Sequence, residues 1–143
     1  MVTGKGAADS YLSESQIREI VQESLATLKV DDKRVLVLIP DGTRTMPMPL
    51  MFKLFQEILA PRTAALDYLV ALGTHQPMPD AQLSELVGPR VVDGCVGKTH
   101  IYTHEWYDPS MLRHIGTIPA SEIQQLSEGR FSQDVLPNIR PQA

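Results

Sequence analysis

The chain has 143 residues, 43% hydrophobic and 21% charged, which suits one domain of ordinary globular composition. Thirteen Lys and Arg against seventeen Asp and Glu leave a formal net charge of −4 with no basic stripe, which argues against a nucleic-acid partner. The lone Cys95 cannot form an intrachain bridge, the start has no apolar signal-like run, and no apolar stretch approaches a bilayer span, so the chain reads as cytoplasmic and not membrane-bound.

Residues 1–11 are small and polar and read as a flexible N-terminus. A helix follows: Ser13 and Gln16 form a capping-box pattern, and Leu12, Ile17, Ile20, Val21, Leu25 and Leu28 recur as one apolar stripe. Arg34-Val-Leu-Val-Leu-Ile-Pro40 is an unbroken aliphatic run, the signature of a strand covered on both faces. It stops at the turn-forming Asp41-Gly-Thr-Arg-Thr-Met-Pro47. Pro49 opens a second helix with Leu50, Met51, Leu54, Phe55, Ile58 and Leu59 on its buried face, and Pro61 closes it.

Leu66 to Leu72 reads as a second strand, stopping at Gly73-Thr-His-Gln-Pro77. A third helix begins near Pro79 and Asp80 and ends at Gly88-Pro89. Thr99-His-Ile-Tyr-Thr103 is a third strand, followed by His104-Glu-Trp-Tyr-Asp108, and a short helix spans Pro119–Leu126. The β–α–β–α–β alternation predicts an α/β fold: a Rossmann-like open parallel sheet with flanking helices, three-layer, as a single domain over 12–126. Residues 127–143 read as a polar C-terminal tail.

Each strand stops at a polar loop, and ligands of open parallel sheets bind beyond the carboxyl ends of the strands. Arg44 offers a rigid fork suited to a carboxylate or phosphate. Asp41, three residues earlier, could orient that fork or bind a hydroxyl; the alternative is a turn cap beside a surface arginine. His75 sits in a tight loop and titrates in the range that proton transfer needs, with a structural loop histidine as the alternative. Thr74 and His104 are further candidates for lining a site or cofactor. His100 and His104 share a strand face at a separation unsuited to one metal ion, and no metal site is expected in this chain. Gly94-Cys-Val-Gly-Lys-Thr99 has Val92 where a phosphate-binding loop needs glycine, and it precedes a strand instead of opening a helix, so it reads as a decoy. Cys95 has no activating neighbour in sequence. Met46, Met48 and Met51 read as packing.

Asp41-Gly-Thr-Arg44 with Pro47 resembles the D-x-T-R-P-x-P segment of the lactate racemase family, and Ala71-Leu-Gly-Thr-His-Gln-Pro-Met78 resembles its A-L-G-T-H-R-P-M segment. His104-Glu-Trp-Tyr-Asp108 and His114-Ile-Gly-Thr117 resemble the stretch that follows, so the likeness covers roughly residues 34–126. Thr45 stands where the motif has proline, and Gln76 where arginine is frequent.

The resemblance implies the N-terminal, substrate-side domain of a 2-hydroxy acid racemase or epimerase that uses a nickel-pincer nucleotide. Arg44 would clamp the substrate carboxylate, His75 would exchange the hydroxyl proton, and Asp41 and Thr43 would bind cofactor or orient Arg44. A cofactor has to accept the hydride from C2, because no side chain does this well. The lysine that tethers the cofactor, the nickel-binding histidine and the second catalytic histidine of the family have no counterpart in this chain. Its expected partners are therefore a small 2-hydroxy acid and a C-terminal domain or segment, and alone it is expected to be inactive. Homo-oligomerisation stays open. The alternative function is a non-catalytic nucleotide- or anion-binding α/β module.

Overall fold

In the computed structural model, which describes residues 4–6, 8–135 and the backbone of 138–139, Ser13 caps helix α1 (Glu14–Ala26). Its Oγ accepts from the Gln16 N–H at 3.3 Å while the Gln16 side chain accepts from the Ser13 N–H at 2.9 Å, so the capping box forms as the spacing predicts. No basic residue lies in the last turn of α1. Arg62 serves that end from a distance instead, donating to the carbonyls of Leu25 and Leu28 at 3.0 and 2.9 Å while its Nε pairs with Asp31 at 2.8 Å. The expected flexible start and polar tail fall partly outside the described residues, at 1–3, 7, 136–137 and 140–143.

The chain divides into two compact units, one through His104 and one from Glu105. The first holds β1 (Arg34–Ile39), α2 (Met48–Leu59), β2 (Ala65–Val70), α3 (Asp80–Val87), β3 (Cys95–Val96) and β4 (Thr99–Thr103), with strand order β1-β2-β4-β3. β1 runs parallel to β2 with Arg34 opposite Ala65 and Ile39 opposite Val70, and β2 runs parallel to β4. β3 departs from the expected all-parallel sheet. It is antiparallel to β4 because Gly97, at φ +62°, turns the chain straight back, so the phosphate-loop look-alike is a hairpin.

The strand order advances in one direction without reversal, and right-handed crossovers then place α2 and α3 on the same face. α1 packs beside α2, and α2 beside α3. Ile39, Phe52, Leu66, Tyr68, Val70 and Val87 form the centre of the core between these helices and the sheet, all at 5% exposure or less. The Phe52 and Tyr68 rings meet with centroids 4.8 Å apart. Burial pushes the Tyr68 hydroxyl up to about 12, against the opposing hydrogen bond from Gln56. The α/β class holds. Within this unit, however, helices α1–α3 cover one face, where the unbroken run through β1 points to helices on both, and Leu38 on the other face is 67% exposed. Leu38 is exposed between partly buried Val37 and buried Ile39, and an exposed aliphatic residue is what lets the run conceal an open face.

The second unit contains a 3-10 turn at Pro109–Met111, β5 (Arg113–His114), α4 (Ala120–Leu126) and β6 (Asn138–Ile139), with β5 and β6 antiparallel. Asp134 accepts from the Ala120 N–H at 2.8 Å at the start of α4, and Ile118 bridges to Val135. Part of the stretch read as a tail is thus paired structure. No helix among the described residues is long and apolar enough to cross a membrane.

Candidate functional site

Parallel pairing of β1 with β2, with Ile39 level with Val70, brings the loops after the two strands out side by side at one sheet edge. The first loop is an Asx-type turn. The Asp41 Oδ1 accepts from the Thr43 N–H at 3.1 Å and from the Thr43 hydroxyl at 2.5 Å, and the Arg44 N–H reaches the Asp41 carbonyl at 3.3 Å. The second loop turns at Gly73, whose φ of +59° suits a residue without Cβ, and closes with His75 N–H on the Leu72 carbonyl at 3.0 Å.

The two loops join through side chains. The His75 Nδ1 lies 2.5 Å from the Asp41 Oδ2, so the carboxylate holds Thr43 with one oxygen and His75 with the other. Asp41 is 8% exposed, whereas the His75 side chain is more than half exposed. The Thr43 hydroxyl first, and then the His75 ring, hold the Asp41 carboxyl down at about 2 against the opposing effect of burial. At neutral pH the carboxylate can only accept, so His75 carries a proton on Nδ1, the nitrogen that faces Asp41.

This pair sits in a cavity of about 580 Å³. Asp41, Thr43 and Arg44 line it from the first loop, and His75 and Gln76 from the second. Met48 and Pro49 at the start of α2 contribute to it, with Leu72 and Leu86 as apolar wall. Arg44 is exposed, and among the described residues its guanidinium has no hydrogen-bond or ion-pair partner. The structure therefore brings together Asp41, Thr43, Arg44 and His75. Asp41, however, engages Thr43 and His75, and not the Arg44 guanidinium that the sequence offered as its partner. Thr74 and His104 are not among the residues lining the cavity. His104 instead extends the sheet ladder, its N–H donating to the Val70 carbonyl at 3.2 Å.

Gln82 and Glu85 were not singled out by the sequence, yet they line the same cavity from α3. Their spacing of three puts them on one helix face beside Leu86, and the loop bearing His75 leads directly into that helix. That adjacency was the available signal. On the far side of the sheet His100 forms another histidine–aspartate contact, with its Nδ1 3.4 Å from Asp67 Oδ1, but this same oxygen accepts the His100 backbone N–H at 2.9 Å and ties β2 to β4. No group of three or more His, Cys, Asp or Glu residues able to hold a metal ion occurs among the described residues.

An α/β domain with a buried carboxylate aligning a histidine, and a cationic fork in the same cavity, is equipped to bind a small acid and move a proton on it. The sequence matches the lactate racemase N-terminal domain over residues 6–129, and the chain belongs to that family. It is similar to a Thermotoga maritima protein whose crystal structure was solved as a structural-genomics target. The TM-score is 0.75 at 25% identity, over 90% of this chain and 30% of that one. This chain thus spans about 30% of the length of that relative. A search of curated proteins gave no match.

Proposed function

We propose that this chain forms the substrate-binding side of a 2-hydroxy acid racemase or epimerase. Arg44 takes the substrate carboxylate in a two-pronged grip, which fixes the acid in one orientation. His75 Nε2 takes the proton of the C2 hydroxyl as the C2 hydrogen departs as hydride, and returns it when hydride is delivered back to C2; the cofactor that the family resemblance implies would take up and return that hydride. Asp41 fixes the ring and faces the positive charge that the imidazole acquires, while Thr43 holds Asp41. The observation that carries this reading is the contact between His75 Nδ1 and Asp41 Oδ2 at the wall of a cavity shared with Arg44.

The nickel-pincer nucleotide that the family resemblance implies finds no metal-ligand cluster among the described residues. We assign the groups that would hold it, and a second proton-exchanging histidine, to a partner domain. The test is steady-state kinetics of the complete holoenzyme carrying Arg44→Ala or His75→Ala. Arg44→Ala should raise KM, and His75→Ala should lower kcat. Unchanged constants in both variants would remove the assignment. In the alternative reading, a non-catalytic anion- or nucleotide-binding module, calorimetry would show binding of nucleotide or phosphate and none of a hydroxy acid.

A further inference from the structure

The proposed chemistry uses Asp41, Thr43, Arg44 and His75 and leaves Gln82 and Glu85, which line the same cavity from α3, without a task. They stand one turn apart on α3, beside the apolar Leu86, and both are exposed. Among the described residues neither side chain has a hydrogen-bond or ion-pair partner, and Glu85 does not pair with Arg44. A cavity of about 580 Å³ falls in the range that encloses ligands far larger than a three-carbon acid.

Resting on the reading above, we infer that the substrate is a 2-hydroxy acid with a hydroxylated chain, whose far hydroxyls are read by Gln82 and Glu85. A carboxylate only accepts hydrogen bonds, whereas an amide both donates and accepts. A hydroxyl does both, so neighbouring hydroxyls can serve both side chains at once. An ammonium would satisfy Glu85 and leave the Gln82 N–H groups unmet. An alkyl tail would desolvate both at a cost and return nothing. The rest of the wall matches too, since Leu72, Met78 and Leu86 present apolar surface to the C–H face of such a chain. Gln76, next to His75, adds a third polar side chain near the reacting end.

The experiment compares kcat/KM for xylonate, a five-carbon polyhydroxy acid, with that for lactate in the complete holoenzyme. Wild type should favour xylonate by about tenfold or more, well below the discrimination of a buried hydroxyl-binding site because Gln82 and Glu85 are both exposed. Gln82→Leu and Glu85→Leu should each cut that ratio about tenfold, mainly through the KM for xylonate, and Glu85→Gln should recover part of it. A ratio near one in wild type, or a ratio indifferent to all three substitutions, overturns the inference. If Arg44→Ala still impairs both acids in that case, the proposed function stands without it. Turnover of neither acid overturns both.

Discussion

His75 Nδ1 and Asp41 Oδ2 lie 2.5 Å apart although 34 residues separate them in sequence. Pairing of their parent strands closes that gap, so sheet register and site geometry are one constraint. A slip of β1 against β2 would move Asp41 out of reach and at the same time expose Ile39, which is why the core protects the contact.

Asp41→Asn keeps the side chain's size and removes its charge. The amide can turn either its oxygen or its NH2 toward Thr43 and His75, so the ring loses a fixed acceptor on Nδ1. In the complete holoenzyme kcat should fall roughly 10- to 100-fold, at or below the lower end of what positioned proton transfer contributes, because His75 itself is retained. KM should change much less. Thr43→Val keeps the backbone N–H bond to Asp41 and loses only the hydroxyl, so its kcat should fall less than that of Asp41→Asn. Equal losses would mean that Thr43 acts on more than Asp41.

Arg44→Lys keeps the charge and loses the planar fork. A hydrogen bond to a charged group contributes about 1.5–3 kcal/mol, so KM for the acid should rise roughly tenfold or more. Titration calorimetry with the substrate should show the same loss in affinity. A lysine variant that binds like wild type would exclude a two-pronged carboxylate contact.

Acid stability should also report on Asp41. Its folded-state value of about 2 lies below the ordinary carboxylate value of 3.8, because the charged form is held by Thr43 and His75. That contribution is complete above about pH 4 and is lost as pH falls toward 2. Asp31 and Asp108 are shifted the same way, by Arg62 and Ser110, so wild type alone does not isolate the effect. Urea midpoints measured from pH 5 to 2 should show the gap between wild type and Asp41→Asn narrowing with acidity. A gap that stays constant would contradict the assigned shift.

Gly88 ends α3 at φ +96°, and a Cβ placed there would meet Pro49 Cβ at 3.1 Å. Gly88→Ala therefore combines backbone strain with a clash against the start of α2, and should cost about 1–3 kcal/mol in urea unfolding. Because Pro49 lines the cavity, ligand affinity should weaken as well. Lost stability with unchanged affinity would show that the α2–α3 junction does not shape the site.

Helices α1, α2 and α3 were legible because caps, prolines and helical spacing are local signals. β1, β2 and β4 were legible as aliphatic runs bounded by turns. The two loops could be placed at one edge because parallel strands release their loops on the same side. What sequence alone left open depended on distant neighbours. That Asp41 engages His75 rests on the β1–β2 register, which no local pattern encodes. The antiparallel β3 is two residues long and offers no periodicity. Gln82 and Glu85 look like any solvated helix face until the cavity beside them is known. His104 follows β4, and a ladder hydrogen bond to the Val70 carbonyl holds its backbone there.

All the residues lining the cavity fall between Asp41 and Leu86, one uninterrupted stretch that ends before the second unit begins. A single cassette exchange between family members would thus transplant the whole of this wall, Arg44 and His75 together with Gln82 and Glu85, without rebuilding the host piece by piece. Recombination at the two flanking strands could reshuffle preference among acids while the remainder of the host protein is left as it was.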